Sequence, residues 1–135
     1  MFVLVGVIVC AVSNIAFAKE PVEFVEEFFT RVKAGKIDEA YDNLFMGSGI
    51  PVMKPQAVEM VKKQTAGGLS MYGKVLGFEK VREEKFGTSI VRSVYILKCE
   101  KAPTIWELYF YKPKSDWFLG NINFNDQFNL LDSKN

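Results

Sequence analysis

The chain has 135 residues, 49% of them apolar and 14% aromatic, with 17 basic against 16 acidic side chains and no histidine. A chain of this length fits one domain with a substantial hydrophobic core, and its balanced charge offers no basic footprint for nucleic acid. Without imidazole it lacks the commonest metal ligand and the side chain best suited to proton transfer near neutral pH.

Residues 2–18, FVLVGVIVCAVSNIAFA, carry no charged side chain and end on Ala16-Phe17-Ala18. Small residues at 16 and 18 match an A-x-A cleavage site, so residues 1–18 are expected to be a secretory signal peptide. The mature chain would begin near Lys19, run for about 117 residues and reside in the periplasm or outside the cell, with no membrane segment left after cleavage. The alternatives are an uncleaved anchor, for which 17 residues is at the short limit, and a core helix; Ser13 and Asn14 interrupt the run and weaken both. Cys10 follows Val9, where a lipidation site wants a small residue, and Cys99 is alone in the mature part, so no internal disulfide is expected after cleavage. On a strand, Cys99 reads as a small buried apolar residue.

From Pro21, the residues Val22, Val25, Phe28, Phe29 and Val32 recur at helical spacing. Acidic residues crowd the start of this helix, and Arg31, Lys33 and Lys36 its end, complementing the helix dipole. Gly35 is the expected left-handed stop. A second short helix is expected over about 37–45, with Ile37, Ala40, Tyr41, Leu44 and Phe45 inward. The run Met46-Gly-Ser-Gly-Ile-Pro51 breaks the chain, and Pro55 opens a third helix to about residue 66, with Ala57, Val58, Met60 and Val61 as candidate core contacts and Gly67-Gly68 as its end.

Beyond residue 70 the period changes to two. Residues 72–85, 89–98, 104–112 and 117–125 are rich in Val, Ile, Tyr, Phe and Trp, and short polar connections join them, as in an antiparallel meander. The stretch AGKIDEAYDNLF has no second copy, so a helical repeat array is excluded. Helices first and strands afterwards give an α+β fold, with amino-terminal helices packed on a curved antiparallel sheet of about four strands. The domain is expected over residues 19–128, followed by a flexible tail over 129–135.

Gly35, Asp38, Ala40 and Tyr41 fit a G-x-x-D-x-A-Y turn between helices, and Ser115-Asp116-Trp117-Phe118-Leu119 follows a D/G-x-W-x-(I/L) hairpin at its Trp and Leu positions, with Ser115 standing at the first. With these motifs, residues 21–125 resemble the nuclear transport factor 2-like superfamily, the cystatin-like cone, and especially its small secreted bacterial members. The resemblance implies a sheet wrapped around helices, an open end able to hold a small ligand, and frequent dimerisation through the sheet. It does not fix an activity, since the same scaffold serves isomerases, dehydratases and interaction modules.

Catalytic members of that superfamily generally place an Asp, often with a His, inside the cone. Here the five aspartates, Asp38, Asp42, Asp116, Asp126 and Asp132, fall on a helix, at a turn and in the tail, so no catalytic residue is assigned. Glu107 is the exception, an acid within the strand Ile105–Tyr111, with Tyr109 and Tyr111 following on its face. Arg92 on the neighbouring strand would pair with it, either as a polar cluster offering tyrosine donors to a ligand or as a cross-strand ion pair on a solvated face, worth a few tenths to about 1 kcal/mol. Tyr41, Arg92, Tyr95, Glu107 and Tyr109 are the candidate ligand-binding residues. No phosphate loop, metal-ligand spacing or nucleophile elbow occurs, and neither cofactor nor metal is expected.

The sequence therefore points to an exported, non-enzymatic module binding a small ligand or a protein partner, with a homodimer through the sheet and no role for nucleic acid. Two alternatives remain: a cavity enzyme of isomerase or hydrolase type using Glu107 and tyrosines, and a membrane-tethered component of a secretion system.

Overall fold

The computed structural model describes residues 18–132; the expected signal peptide, apart from Ala18, and residues 133–135 lie outside the described residues. In chain order the elements are α1 (Pro21–Lys33), α2 (Ile37–Leu44), α3 (Ile50–Met53), α4 (Pro55–Tyr72), β1 (Val75–Phe86), β2 (Ile90–Cys99), β3 (Pro103–Tyr111), β4 (Phe118–Asn125) and a 3-10 turn (Asn129–Leu131). The strands pair antiparallel in the order β1-β2-β3-β4, a curved, unclosed meander. The fold is α+β, with helices preceding the sheet.

Helix α1 starts with Pro21 and carries Glu23 in its first turn and Arg31 and Lys33 in its last. It stops where Gly35 takes φ +78°. The Gly35 amide donates to the Val32 carbonyl at 3.0 Å and the Lys36 amide to Arg31 at 2.9 Å, which are the two bonds of a Schellman motif. The buried stripe is Phe24, Val25, Phe28, Phe29 and Val32. Phe24 replaces the expected Val22, which is half-buried at the helix edge.

Two helix expectations need correcting. The breaker at 46–51 contains a one-turn helix, α3, with Pro51 near its start. The third expected helix, α4, runs six residues past 66: Gly67 and Gly68 lie inside it, and it ends at Gly73, whose φ is +85°. Leu69 and Tyr72, beyond the glycine pair, pack against the core, and that burial outweighs the cost of helical glycine, about 1 kcal/mol per residue. Of the four residues expected inward from this helix, Val58 is buried, Val61 half-buried, and Ala57 and Met60 exposed. Polar contacts with α2 add to this apolar packing. The Tyr41 hydroxyl and Thr65 Oγ1 lie 2.6 Å apart in the interior, and Lys62 Nζ sits 3.0 Å from Asp42 and 3.8 Å from Asp38.

The helices stack outward from the sheet, with α1 against β1 and β2, α2 against α1, and α4 against α2 and α3. The interior is aromatic. Phe28 and Phe29 of α1 approach Trp106 of β3 edge-on, with centroids 5.6 and 5.4 Å away. Tyr41 meets Phe28 at 4.9 Å, Tyr95 meets Phe29 at 5.6 Å, and Phe124 of β4 stacks on Trp106 at 4.2 Å. The Trp106 indole donates to Thr104 Oγ1 at 2.8 Å, so its polar atom is satisfied within the core. Register shifts between Lys80 and Arg82 and between Tyr109 and Phe110 supply the local bends that let the sheet curve.

Strands β2 and β3 are buried on both faces, with Val91 to Tyr95 and Thr104 to Leu108 all buried. The inner face holds Tyr95 and Trp106 in the main core, while Val94 and Ile105 belong to a second apolar cluster with Leu130. Residues 129–131, expected to begin a flexible tail, instead form the 3-10 turn that lies on the outer face, with Leu130 7% exposed.

The contrast between two glycines provides a test. Gly67 is exposed and helical, and a Cβ there would meet nothing within 4 Å; Gly67→Ala should stabilise the domain by about 0.5–1 kcal/mol in denaturant unfolding. Gly73→Ala should destabilise it, because Gly73 adopts φ +85°, a backbone conformation that strains a residue with a Cβ.

Candidate functional site

The register of the meander aligns side chains across all four strands on the outer face. One row is Glu84, Arg92, Tyr109 and Asn121, and the next is Arg82, Val94, Glu107 and Asn123. Arg92 lies at their centre, fully buried, and Glu107 is 2% exposed. Arg92 Nε donates to Glu107 Oε2 at 2.6 Å, Nη1 to Glu84 Oε1 at 2.7 Å and Nη2 to the Leu130 carbonyl at 3.3 Å. Asn123 Nδ2 lies 3.5 Å from the other Glu107 oxygen, and Arg82 Nη1 lies 3.8 Å from Glu84. Among the described residues every buried side-chain polar atom has a hydrogen-bond partner. Burial alone would lower the Arg92 pKa; the bond and charge of Glu107, with the charge of Glu84, outweigh it, so the guanidinium is raised above its ordinary value.

The pair is thus a correction to the solvated-face expectation. Leu130 and the neighbouring turn cover this part of the sheet, so the ions sit in a low-dielectric site where loss of one partner is expensive. Both ions are engaged by protein groups.

The five candidate ligand-binding residues divide between the two sides of the sheet. Arg92, Glu107 and Tyr109 share the outer face. Tyr41 and Tyr95 are buried in the helix-facing core, 0% and 2% exposed. Burial pushes the Tyr95 phenol up to about 12, with the Glu26 and Glu83 carboxylates adding to it. Burial also raises Tyr41, against a smaller lowering by its bond to Thr65. The cavity-enzyme reading requires Glu107 to converge with at least one of Tyr41, Tyr95 and Tyr109 in a closed pocket; Tyr41 and Tyr95 lie across the sheet from Glu107, and Tyr109, on its own face, is half-buried.

Several clefts open at the surface of the described residues; two of them bear on function, and none of these five residues lines either of those two. The first, about 420 Å³, lies between the start of α1 and the β1–β2 hairpin and is flanked by Glu20, Glu83, Lys85 and Lys112 as well as Ile90 and Trp117. Lys112 Nζ stands 4.9 Å from the centre of the Trp117 ring, so one of these cations is engaged by an aromatic face. The second, about 280 Å³, lies where α3 and α4 meet β4. Phe45, Ile50, Met53, Val58, Val61 and Ile122 give it an apolar wall, and Lys54 is its one charged lining residue, with Asn121 nearby. The Ser48 hydroxyl ties this corner together, donating to the Leu119 carbonyl at 2.9 Å.

The sequence reading missed this second cleft because Ile50 and Met53 fell in a supposed loop and Val58 and Val61 were assigned to a closed core. Its signal was the density of apolar residues between 45 and 61 in a segment with breakers. Among the described residues no group of acids or cysteines is placed to hold a metal ion, and no helix is long and apolar enough to cross a membrane.

The buried pair should behave asymmetrically in unfolding experiments. Arg92→Met or Glu107→Gln alone should cost about 3–5 kcal/mol, whereas Arg92→Met with Glu107→Leu should cost far less than the sum, because no uncompensated charge stays behind. The tyrosines predict an alkaline limit. Unfolded tyrosine ionises near its ordinary value of about 10, while the native phenol resists until about 12, so above that ordinary value the native state holds more protons than the unfolded. Stability should be undiminished below about pH 10 and fall from there to about pH 12. Tyr95→Phe should flatten that decline in a melting-temperature series while changing stability at neutral pH by less than about 1.5 kcal/mol.

Comparison with family models, with curated proteins and with solved structures finds no match to this chain.

Proposed function

We propose that the chain is an exported, non-enzymatic binding module of the nuclear transport factor 2-like type, and that its ligand is a small apolar carboxylate held in the α3–α4/β4 cleft. The observation that carries this reading is the composition of the cleft: an aliphatic and aromatic wall, adaptable Met53, and Lys54 as the single charge. A volume of about 280 Å³ is at the low end for small-molecule sites, which favours a ligand of modest size over a cofactor. An apolar body satisfies the wall, and an anionic head satisfies Lys54.

The aromatic packing of Phe28 and Phe29 on Trp106 supports binding at the edge of the cone over binding in its centre. The enzyme alternative is less favoured, since Glu107 is ion-paired beneath Leu130, Tyr41 and Tyr95 face the other way, and Tyr109, the phenol on its own face, lines neither of the two clefts. Export rests on the Ala16-Phe17-Ala18 site, and the intact mass of the protein recovered from its native compartment checks it: a chain beginning at Lys19 supports the reading, and one retaining residues 1–18 supports the tethered alternative.

Thermal denaturation with matched eight-carbon probes tests the ligand class. Octanoate should raise the melting temperature more than octanol or octylamine, as expected for a ligand that binds only the native state. Lys54→Glu should remove or invert that preference. Ala57→Trp, which fills the cleft from an exposed helical position, should abolish the shift while leaving the unliganded melting temperature within a few degrees. No shift with any probe, or a shift that survives Ala57→Trp, rejects the reading.

A further inference from the structure

The cleft between the start of α1 and the β1–β2 hairpin gathers charges that do not neutralise one another. In the register, Glu83 and Lys85 stand opposite Ser93 and Val91, on the helix-facing side of the sheet, since Val91 belongs to the main core. Helix α1 meets this end of the sheet through Phe24, which lies 5.6 Å from Phe110, while Gly87 and Thr88 at the hairpin turn are exposed. Two acids, Glu20 and Glu83, and two bases, Lys85 and Lys112, line the resulting space of about 420 Å³. Among the described residues no ion pair joins either acid to either base. Glu83 has Lys80 at 3.9 Å, and Lys112 lies over the Trp117 ring. Glu20 stands at the N-cap of α1 yet makes no side-chain cap bond, and neither Glu20 nor Lys85 has an ionic partner among the described residues. Between them lies apolar surface, with Ile90 38% exposed and Trp117 half-buried.

We infer that this cleft binds a free α-amino acid with an apolar side chain as its zwitterion, the carboxylate on Lys85, the ammonium on Glu20, and the side chain over Ile90 and Trp117. A carboxylate and an ammonium that share a cleft without meeting are complementary to a molecule carrying the opposite pair, and each such contact is a charge-assisted bond. A simple anion would face Glu20 and Glu83 along with the lysines. A simple cation would face Lys85 and Lys112 along with the acids. A dipolar ligand alone matches both signs, so the same four side chains that attract it reject singly charged competitors. The volume lies within the range of small-molecule sites. None of the residues lining this cleft lines the α3–α4/β4 cleft, so the inference stands whether or not that cleft holds a carboxylate.

Isothermal titration calorimetry tests it at about pH 6, where an α-amino acid carries both charges. The probes are L-phenylalanine, N-acetyl-L-phenylalanine, which keeps only the carboxylate, and L-phenylalaninamide, which keeps only the ammonium. L-Phenylalanine should bind roughly tenfold or more tightly than either derivative. Lys85→Met should remove its advantage over the amide, and Glu20→Gln its advantage over the acetylated form. Both substitutions are at exposed positions and should leave the melting temperature of the unliganded protein within a few degrees. Thr88→Trp, from the exposed hairpin turn, should fill the cleft and abolish binding. Absence of L-phenylalanine binding, equal affinity for the three probes, or binding that survives Thr88→Trp overturns the inference. Lys54→Glu separates the two clefts: L-phenylalanine affinity should be unchanged by it, and a loss of that affinity would assign the ligand to the α3–α4/β4 cleft and overturn the inference as well.

Discussion

The packing of Phe28 and Phe29 against Trp106 is the contact on which the rest of this molecule is built. Two adjacent aromatic side chains on one helix and an indole on the central strand pair occupy the concavity of the sheet. Each ring removes a large apolar area from water, and the edge-on geometry adds roughly 0.5–1.5 kcal/mol per aromatic pair. Tyr41, Tyr95, Phe78 and Phe124 then pack around those three rings. The concavity of the sheet is filled with these side chains, and the two clefts described above lie at its margins.

A second constraint acts from the other side of the sheet. Where β2 and β3 are covered above by helix and below by the returning chain, each buried side chain needs an apolar or paired partner. Val94 and Ile105 find Leu130, and Arg92 finds Glu107, Glu84 and a main-chain carbonyl. Full satisfaction of this polar cluster also fixes strand register, since a slip of one residue would carry Arg92 and Glu107 into the aromatic core and leave them unpaired.

Much of the architecture was legible because local and global signals agreed. The apolar spacing of α1 and α2, the glycine between them, and the switch to a two-residue period each had one physical reading, and the element order gave the fold class. Legibility ended where a tertiary contact overruled a local preference. Gly67-Gly68 look like a helix stop, yet Leu69 and Tyr72 have core to gain by continuing the turn. Arg92 and Glu107 alternate as exposed residues do, yet they are buried by a segment distant in sequence. The leucine pair at 130 and 131 carried the missing information: two apolar residues after a polar stretch need cover, and the nearest uncovered apolar surface is the back of the sheet. The candidate cleft was illegible for a related reason, because a helix face half-buried at a rim has the same spacing as one buried in a core.

Cys99 closes β2 opposite Val75, 8% exposed, and burial pushes its thiol up. In the chain proposed to be cleaved after Ala18 it is the sole sulfhydryl, since the other cysteine is Cys10. A neutral, enclosed sulfur reacts with alkylating reagents slowly until the β1–β2 margin parts. The native protein therefore carries its own clock for the breathing of that margin, readable by labelling kinetics with no introduced probe.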